Sequence, residues 1–200
     1  MACRYYIVDL DGTLYFQIPV RLMMSVELSV YYLFHPFRLK DFRIIYRYRK
    51  NHEKNSSCDF TAFARQCGSN VKYVRELIEE WMITRPLKWI KIFADRKLLK
   101  ILQDKNVIVY SDYPTEQKLQ ALGFVPMAQY FCDGTDIMHY KPNSQGLEFI
   151  SRKHNLLKDD ILMIGDRMSH DGECAKRFGC KFLILNKTFI GRLFQYGKIK

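Results

Sequence analysis

The sequence predicts a doubly wound, mostly parallel α/β sheet with a helical segment inserted into it, and three observations lead to that expectation. Three short, almost continuously apolar runs, YYIVD (5–9), VIVYS (107–111) and ILMIGD (161–166), have the length and composition of strands buried on both faces. Helical patterns lie between and after them, and such alternation implies a layered sheet with right-handed crossovers. About a hundred residues separate the first run from the second, far more than one crossover needs.

The first strand ends at Asp9 and runs into the loop Leu10-Asp11-Gly12-Thr13-Leu14. Residues 16–88 then read as a helical insertion, with 1–15 and 89–200 forming the α/β core. Tyr15, Phe16 and Gln17 would make the flap that leads into it. Pro19 suits the first position of a helix, and Leu22, Val26, Val30 and Leu33 are spaced to form its inward face. The basic stretch 36–58 reads as a loop-rich connection. Asp59 would cap FTAFARQCG, which stops at Gly68, and Asn70 would cap VKYVRELIEEWM. Pro86 marks the return to the core. The tyrosines 31, 32, 46 and 48 fit the interior of the insertion better than a ligand pocket.

In the core, KLLKILQ (97–103) precedes the second strand, and TEQKLQALG (115–123) follows it and stops at a glycine. QYFCD (129–133) is a less apolar strand candidate. SQGLEFISRKHN (144–155) and HDGECAKRFG (170–179) are helices on either side of the third apolar run. KFLIL (181–185) supplies a further strand.

The chain has 200 residues, 48% of them apolar and 26% charged, as an ordinary globular protein does. Its formal net charge is +11, concentrated in two zones. Residues 174–200 hold seven Lys/Arg and no acid, and residues 36–54 hold seven against Asp41 and Glu53. Such zones suit anionic partners: a phosphorylated substrate, nucleic acid or an anionic membrane surface. The plainer reading of either zone alone is a solvated surface. The alternating FRIIYRYRK (42–50) would suit lipid head groups or single-stranded nucleic acid, but basic surface on the insertion is the simpler account. Peripheral membrane contact and nucleic acid therefore rank below a small phosphorylated substrate as partners. The six cysteines form no CxxC pair and read as small buried hydrophobes in a reducing compartment. No signal-peptide pattern opens the sequence, and the apolar stretch 18–34 holds Arg21 and Glu27 and falls short of the ~20 residues a membrane span needs. A cytoplasmic protein is the expectation.

Asp9, Ser111 and Asp166 all stand at the carboxyl ends of their strands, where open α/β sheets bind ligands. Taken singly, Asp11-Gly12 is a turn dipeptide, Ser111 a helix cap, Lys141 a surface lysine and Asp171 a first-turn helix acid. In combination these readings fail together. Asp9-Leu10-Asp11-Gly12-Thr13-Leu14, then Ser111, then Lys141-Pro142, then Gly165-Asp166-Arg167 with Asp171, resemble the four ordered motifs of the haloacid dehalogenase-like (HAD) superfamily. The resemblance covers roughly 1–15 and 96–186, and it implies that the insertion is the family's helical cap.

A carboxylate attacking a phosphate ester is an anion approaching a dianion, so a divalent cation between them removes the repulsion. Mg²⁺ suits that place, binding through one or two carboxylates plus substrate phosphate. The resemblance implies Asp9 as nucleophile, forming an aspartyl-phosphate, with Asp166 and Asp171 holding the metal and the backbone carbonyl of Asp11 reaching it. Asp11 would protonate the leaving alkoxide and then accept a proton from water, a role for which a raised pKa is expected. Dehalogenases of the family lack an acid here, because halide leaves unprotonated. Ser111 and Lys141 would hold the phosphoryl oxygens, with Gly12, Thr13 and Arg21 as further substrate-binding candidates. The implied activity is Mg²⁺-dependent hydrolysis of a small phosphorylated metabolite. A phosphotransferase or phosphomutase, and a non-catalytic polyanion-binding module, are the alternatives. Asp112 and Tyr113 after Ser111, and His139 and Tyr140 before Lys141, depart from the family's pattern. An acid beside a phosphate site would weaken anion binding unless Asp112 turns away or meets a cation. The sequence carries no reading of oligomeric state.

Overall fold

The central sheet has five parallel strands: β1 (Tyr5–Val8), β2 (Val107–Ser111), β3 (Ala128–Phe131), β4 (Ile161–Gly165) and β5 (Lys181–Ile184), in the order β3-β2-β1-β4-β5. The computed structural model describes residues 3–54 and 60–199, and for 51–54 and 60 the backbone alone. Ile7 of β1 lies level with Ile108 of β2 on one side and Met163 of β4 on the other. Successive side chains of β1 enter different interiors. Tyr6 and Val8 join one apolar cluster, which includes the insertion, while Ile7 joins the other with Ile108 and Met163. A strand covered on both faces cannot alternate apolar with polar, which is why these runs are continuously apolar. The strand order reverses direction at β1, so the β1–β4 boundary is the switch point of the sheet.

Between β1 and β2 the chain builds α1 (Gln17–Phe34), α2 (Leu39–Lys54), α3 (Phe60–Gln66), α4 (Val71–Glu79) and α5 (Leu87–Ile92). It leaves and re-enters the core at one place. The Phe16 N–H donates to the Phe93 carbonyl at 2.9 Å, and the Asp95 N–H donates to the Leu14 carbonyl at 2.9 Å. The core helices are α6 (Arg96–Leu102), α7 (Glu116–Leu122), α8 (Gln145–His154), α9 (Glu173–Phe178) and α10 (Phe189–Leu193).

Several local expectations are met. Asn70 caps α4, its side chain accepting the Lys72 N–H at 2.8 Å. Gly123 ends α7 in the left-handed region. Of the four tyrosines, Tyr32 is buried and stacks on Trp81 with ring centroids 6.1 Å apart, and Tyr31 and Tyr48 are half-buried, as interior of the insertion, but Tyr46 is exposed.

Four expectations are corrected. Residues 39–54 are helical rather than a loop, because Asp41, Ile44, Ile45 and Tyr48 recur at helical spacing on one inward face. Asp41 is satisfied there by the Tyr73 hydroxyl at 2.5 Å and Arg38 Nε at 2.9 Å. The face of α1 formed by Leu22, Val26, Val30 and Leu33 points outward, and Val20, Met24 and Tyr32 are the buried residues. That helix is apolar almost all round, so spacing alone did not choose its inner face. Pro19 is the third residue of α1, still in the turn where a missing N–H costs nothing. The segment 168–172 is a wide π turn, and α9 begins only at Glu173. The Asp59 cap and Cys58 lie outside the described residues.

Arg192 of α10 is fully buried although it belongs to a basic zone. Its Nη1 donates to the Thr13 carbonyl at 2.7 Å and to Asp95 Oδ2 at 2.8 Å, and its Nη2 to the Gly12 carbonyl. The Tyr196 hydroxyl donates to Asp95 as well, at 2.8 Å from Oδ2. Truncating one partner of a buried pair leaves the other charge uncompensated. Arg192→Met is therefore expected to lower the unfolding free energy by about 3–5 kcal/mol. Urea denaturation measures this, and a loss below about 1 kcal/mol would show that α10 does not brace the loop after β1.

Candidate active site

The carboxyl rim of the sheet gathers what the sequence scattered. Asp9 leaves β1, Ser111 ends β2 and Asp166 follows β4, while Asp171 comes from the π turn beyond it. Asp9, Asp166 and Asp171 are buried, and each offers an oxygen within 4.8 Å of the others. Lys141, buried between β3 and α8 along the chain, reaches across the rim. Its Nζ donates to Asp9 Oδ1 and, at 2.7 Å, to Asp171 Oδ1. Thr13 Oγ1 donates to the other oxygen of Asp9 at 3.2 Å.

Two glycines make this closeness sterically feasible. Gly12 has φ +96°, and a Cβ there would stand 2.5 Å from Asp166 Oδ2. A Cβ on Gly165 would collide with the side chain of Asp171.

Asp11 sits in a second group, beside the first. Its carboxylate accepts from Lys118 Nζ at 2.6 and 2.8 Å, from the Tyr15 hydroxyl, and from Ser111 Oγ at 3.5 Å. Ser111 Oγ in turn accepts the Tyr113 N–H at 3.2 Å, so Ser111 does not cap a helix. Asp112 does meet positive charge. Oδ1 accepts the Lys141 N–H at 3.0 Å, and Oδ2 lies 3.9 Å from Arg167 Nη2.

These contacts set the charge states. Burial pushes the Asp9 carboxyl well above the usual carboxylate range, and Asp171 and Asp166 add to the push against Lys141. Burial and Asp171 raise Asp166 too. Asp171 moves down, because its contacts with Lys141 outweigh its burial. The raised pKa expected for Asp11 is not found. Burial pushes it up, but Lys118, with help from the Tyr15 hydroxyl, brings it below its ordinary value.

The donor set fits a hard divalent cation. Three buried carboxylates share one small volume, and Asp166 Oδ1 is buried with no hydrogen-bond partner. That oxygen lies 3.9 Å from Arg167 Nε, too far for a hydrogen bond, in a residue whose carboxylate shares a cluster of three acids that a cation would satisfy. The Asp11 side chain is not in this group, being turned to Lys118.

Next to Asp11 a cavity of about 160 Å³ opens between core and insertion. Asp11, Lys118 and Tyr15 form its floor, while Arg21, Met24 and Trp81 are among its walls. Arg21 is solvent-exposed on that wall, away from the three-acid cluster.

Two residues here escaped the sequence reading. Lys118 is 4% exposed, and two weak signals pointed to it. It stands in the first turn of α7, where the helix dipole disfavours a cation, and four residues before the buried Leu122. Arg192 had no such signal within its run of basic residues.

A family model described as haloacid dehalogenase-like hydrolase matches residues 6–185. No curated protein sequence matches significantly. Solved structures share the fold at low identity. Magnesium-bound YfnB from Bacillus subtilis, assigned as a HAD-hydrolase, is 12% identical over 92% of this chain and 87% of its own, with TM-score 0.59. A 2-haloacid dehalogenase from Pseudomonas syringae is 15% identical over 92% and 86%, with TM-score 0.61. A Lactobacillus plantarum protein assigned as a phosphoglycolate phosphatase is 12% identical over 91% and 86%, with TM-score 0.54.

A cation held by Asp9 and Asp166 would compete with protons for them. Both have raised pKa values, so their neutral forms favour the metal-free folded state on the acid side, and that benefit disappears as pH rises through the raised values. The rise in Tm that Mg²⁺ produces is expected to shrink steadily from neutral pH to about pH 5. Scanning fluorimetry with Mg²⁺ and with EDTA measures it, and a pH-independent rise would place the ion elsewhere.

Proposed function

The chain belongs to the haloacid dehalogenase-like hydrolases, and from that premise we propose that it hydrolyses small phosphate monoesters with Mg²⁺ through an aspartyl-phosphate on Asp9. The single observation that carries this reading is the buried cluster of Asp9, Asp166 and Asp171 around Lys141, next to a proton-bearing pair, Asp11 and Lys118. A halide leaves without a proton. An alkoxide needs one, and a buried acid–base pair beside the nucleophile favours phosphatase over dehalogenase chemistry.

Asp9, Asp166 and Asp171 would hold Mg²⁺, with the backbone carbonyl of Asp11 as the resemblance implies, and the ion would screen the phosphate charge from the carboxylates. Lys141 and Thr13 hold the two oxygens of Asp9, so the carboxylate cannot rotate away from the incoming phosphorus. Attack by an Asp9 oxygen forms the acyl phosphate and breaks the ester P–O bond. The leaving oxygen takes its proton from the Asp11–Lys118 pair. Water then attacks the acyl phosphate, returns a proton to the pair, and frees inorganic phosphate and Asp9. Burial works against the charged form of Asp11, but Lys118 and the Tyr15 hydroxyl bring its carboxyl below the ordinary value. Ser111 and Lys141 stabilise the phosphoryl oxygens, and the backbone at Gly12 and Thr13 lines the phosphate loop. The cavity above Asp11 would receive the leaving group, with Arg21 on its wall. Its volume suits a small metabolite.

A panel of phosphorylated metabolites, assayed with and without Mg²⁺, tests this reading. One phosphate released per ester consumed supports hydrolysis, whereas consumption without release identifies a phosphotransferase. Asp9→Asn is expected to lower kcat at least about a thousandfold with the fold intact by circular dichroism. Unchanged turnover would refute Asp9 as nucleophile.

Lys118→Met separates the proton step from the rest. For alkyl phosphates kcat is expected to fall about a hundredfold. For p-nitrophenyl phosphate, whose leaving group departs as an anion, the fall should be much smaller. Equal losses on both esters would reduce Lys118 to a structural partner of Asp11.

A further inference from the structure

The outer face of α1 combines features that the enzyme site does not use. Leu22 is 63% exposed, Leu33 76%, and Val26 and Val30 50% each. Only Ser25 and Ser29 interrupt this face with polar atoms, and neither is charged. The two charges of α1 lie elsewhere: Arg21 faces the cavity, and Glu27 pairs with Lys88 at 2.6 Å. A solvated helix normally presents charge on its outer side, and a helix apolar all round is normally covered.

The apolar strip continues beyond both ends of the helix. At the far end stand Phe34, 74% exposed, and Phe37, 99% exposed. At the near end the ring of Phe16 meets that of Phe189 at 6.0 Å, which brings in the exposed Phe189, Ile190 and Phe194 around α10. Cations border the strip. On α2, Phe42 packs against Tyr32 of α1 at 5.9 Å, and beyond it Lys40, Arg43, Arg47 and Lys50 are all exposed. Near α10 stand the exposed Lys187 and Lys198. Asp41 of the same helix is buried and already paired with Arg38.

We propose that this face docks peripherally on an anionic lipid bilayer, with the α1 strip in the boundary between head groups and acyl chains and the flanking lysines and arginines on lipid phosphates. Aliphatic and phenyl side chains on one face with cations beside them are the composition of an interfacial helix. A second copy of this chain fits worse, because two-fold pairing of the strips would press the bordering cations of both copies together. Single-stranded nucleic acid would use the aromatics and cations but leaves the aliphatic stripe without a role. No helix among the described residues is long and apolar enough to cross a membrane, so the contact lies on the surface. Arg21 and Met24, on another side of α1, keep the cavity clear of the docked face.

Co-sedimentation of the full chain with phosphatidylcholine vesicles, with and without phosphatidylglycerol, tests the proposal. Binding is expected to be at least about tenfold tighter with the anionic lipid and to weaken with added salt. Leu33→Ser with Phe37→Ser should reduce binding about tenfold while leaving circular dichroism unchanged. Arg43→Gln with Arg47→Gln should remove most of the preference for phosphatidylglycerol. Failure of the natural chain to bind anionic vesicles overturns the proposal. So does binding that the apolar double variant leaves intact, which is charge adsorption alone. A dimer in sedimentation equilibrium that the same variant dissolves overturns it in favour of a second copy. None of these outcomes depends on the hydrolase reading.

Discussion

Three carboxylates and one ammonium share a volume from which most water is excluded. Lys141 neutralises only part of that charge, and burial makes the remainder costly. Around this constraint the rest of the rim is arranged. Glycine at positions 12 and 165 lets side chains of the opposing acids come close. Thr13 and the Arg167 N–H tie down oxygens that would otherwise swing apart. Asp166 keeps one buried oxygen without a hydrogen bond. A fold selected for stability alone would not keep such an arrangement; a fold that holds a cation there would.

The two acids of the first loop have been separated into different electrostatic environments although one residue lies between them. Asp9 is raised by burial and then by its acidic neighbours, whereas Asp11 is lowered by Lys118 in spite of its burial. The chain leaves the strand and turns from Asp11 onward, so the Asp9 side chain meets Lys141 and Thr13 while that of Asp11 meets Lys118 of α7. That divergence puts one carboxylate in the three-acid cluster and the other beside Lys118 at the cavity.

Much of this was legible in the sequence, and the exceptions have physical reasons. The strands could be read because burial on both faces leaves an unbroken apolar signature. The acids could be read because chemistry in parallel sheets collects at carboxyl ends. α2 escaped because its seven-residue inward spacing of Asp41, Ile44, Ile45 and Tyr48 is overlaid by arginines and lysines that belong to its outer face. α1 was recognised but turned the wrong way, since an all-round apolar helix gives no angular preference. Lys118 and Arg192 were hidden by their type. A cation is ordinarily a surface residue, and only its three-dimensional partners reveal it as interior.

The guanidinium of Arg192 grips the carbonyls of the loop that carries Asp9 and Asp11, across a separation of 180 residues. During synthesis that loop is made well before its clasp. The β1 loop therefore cannot reach its working shape until the ribosome has delivered almost every strand and helix between them. A nascent chain that has not yet reached α10 would carry the loop after β1 without the contacts that hold the Gly12 and Thr13 carbonyls.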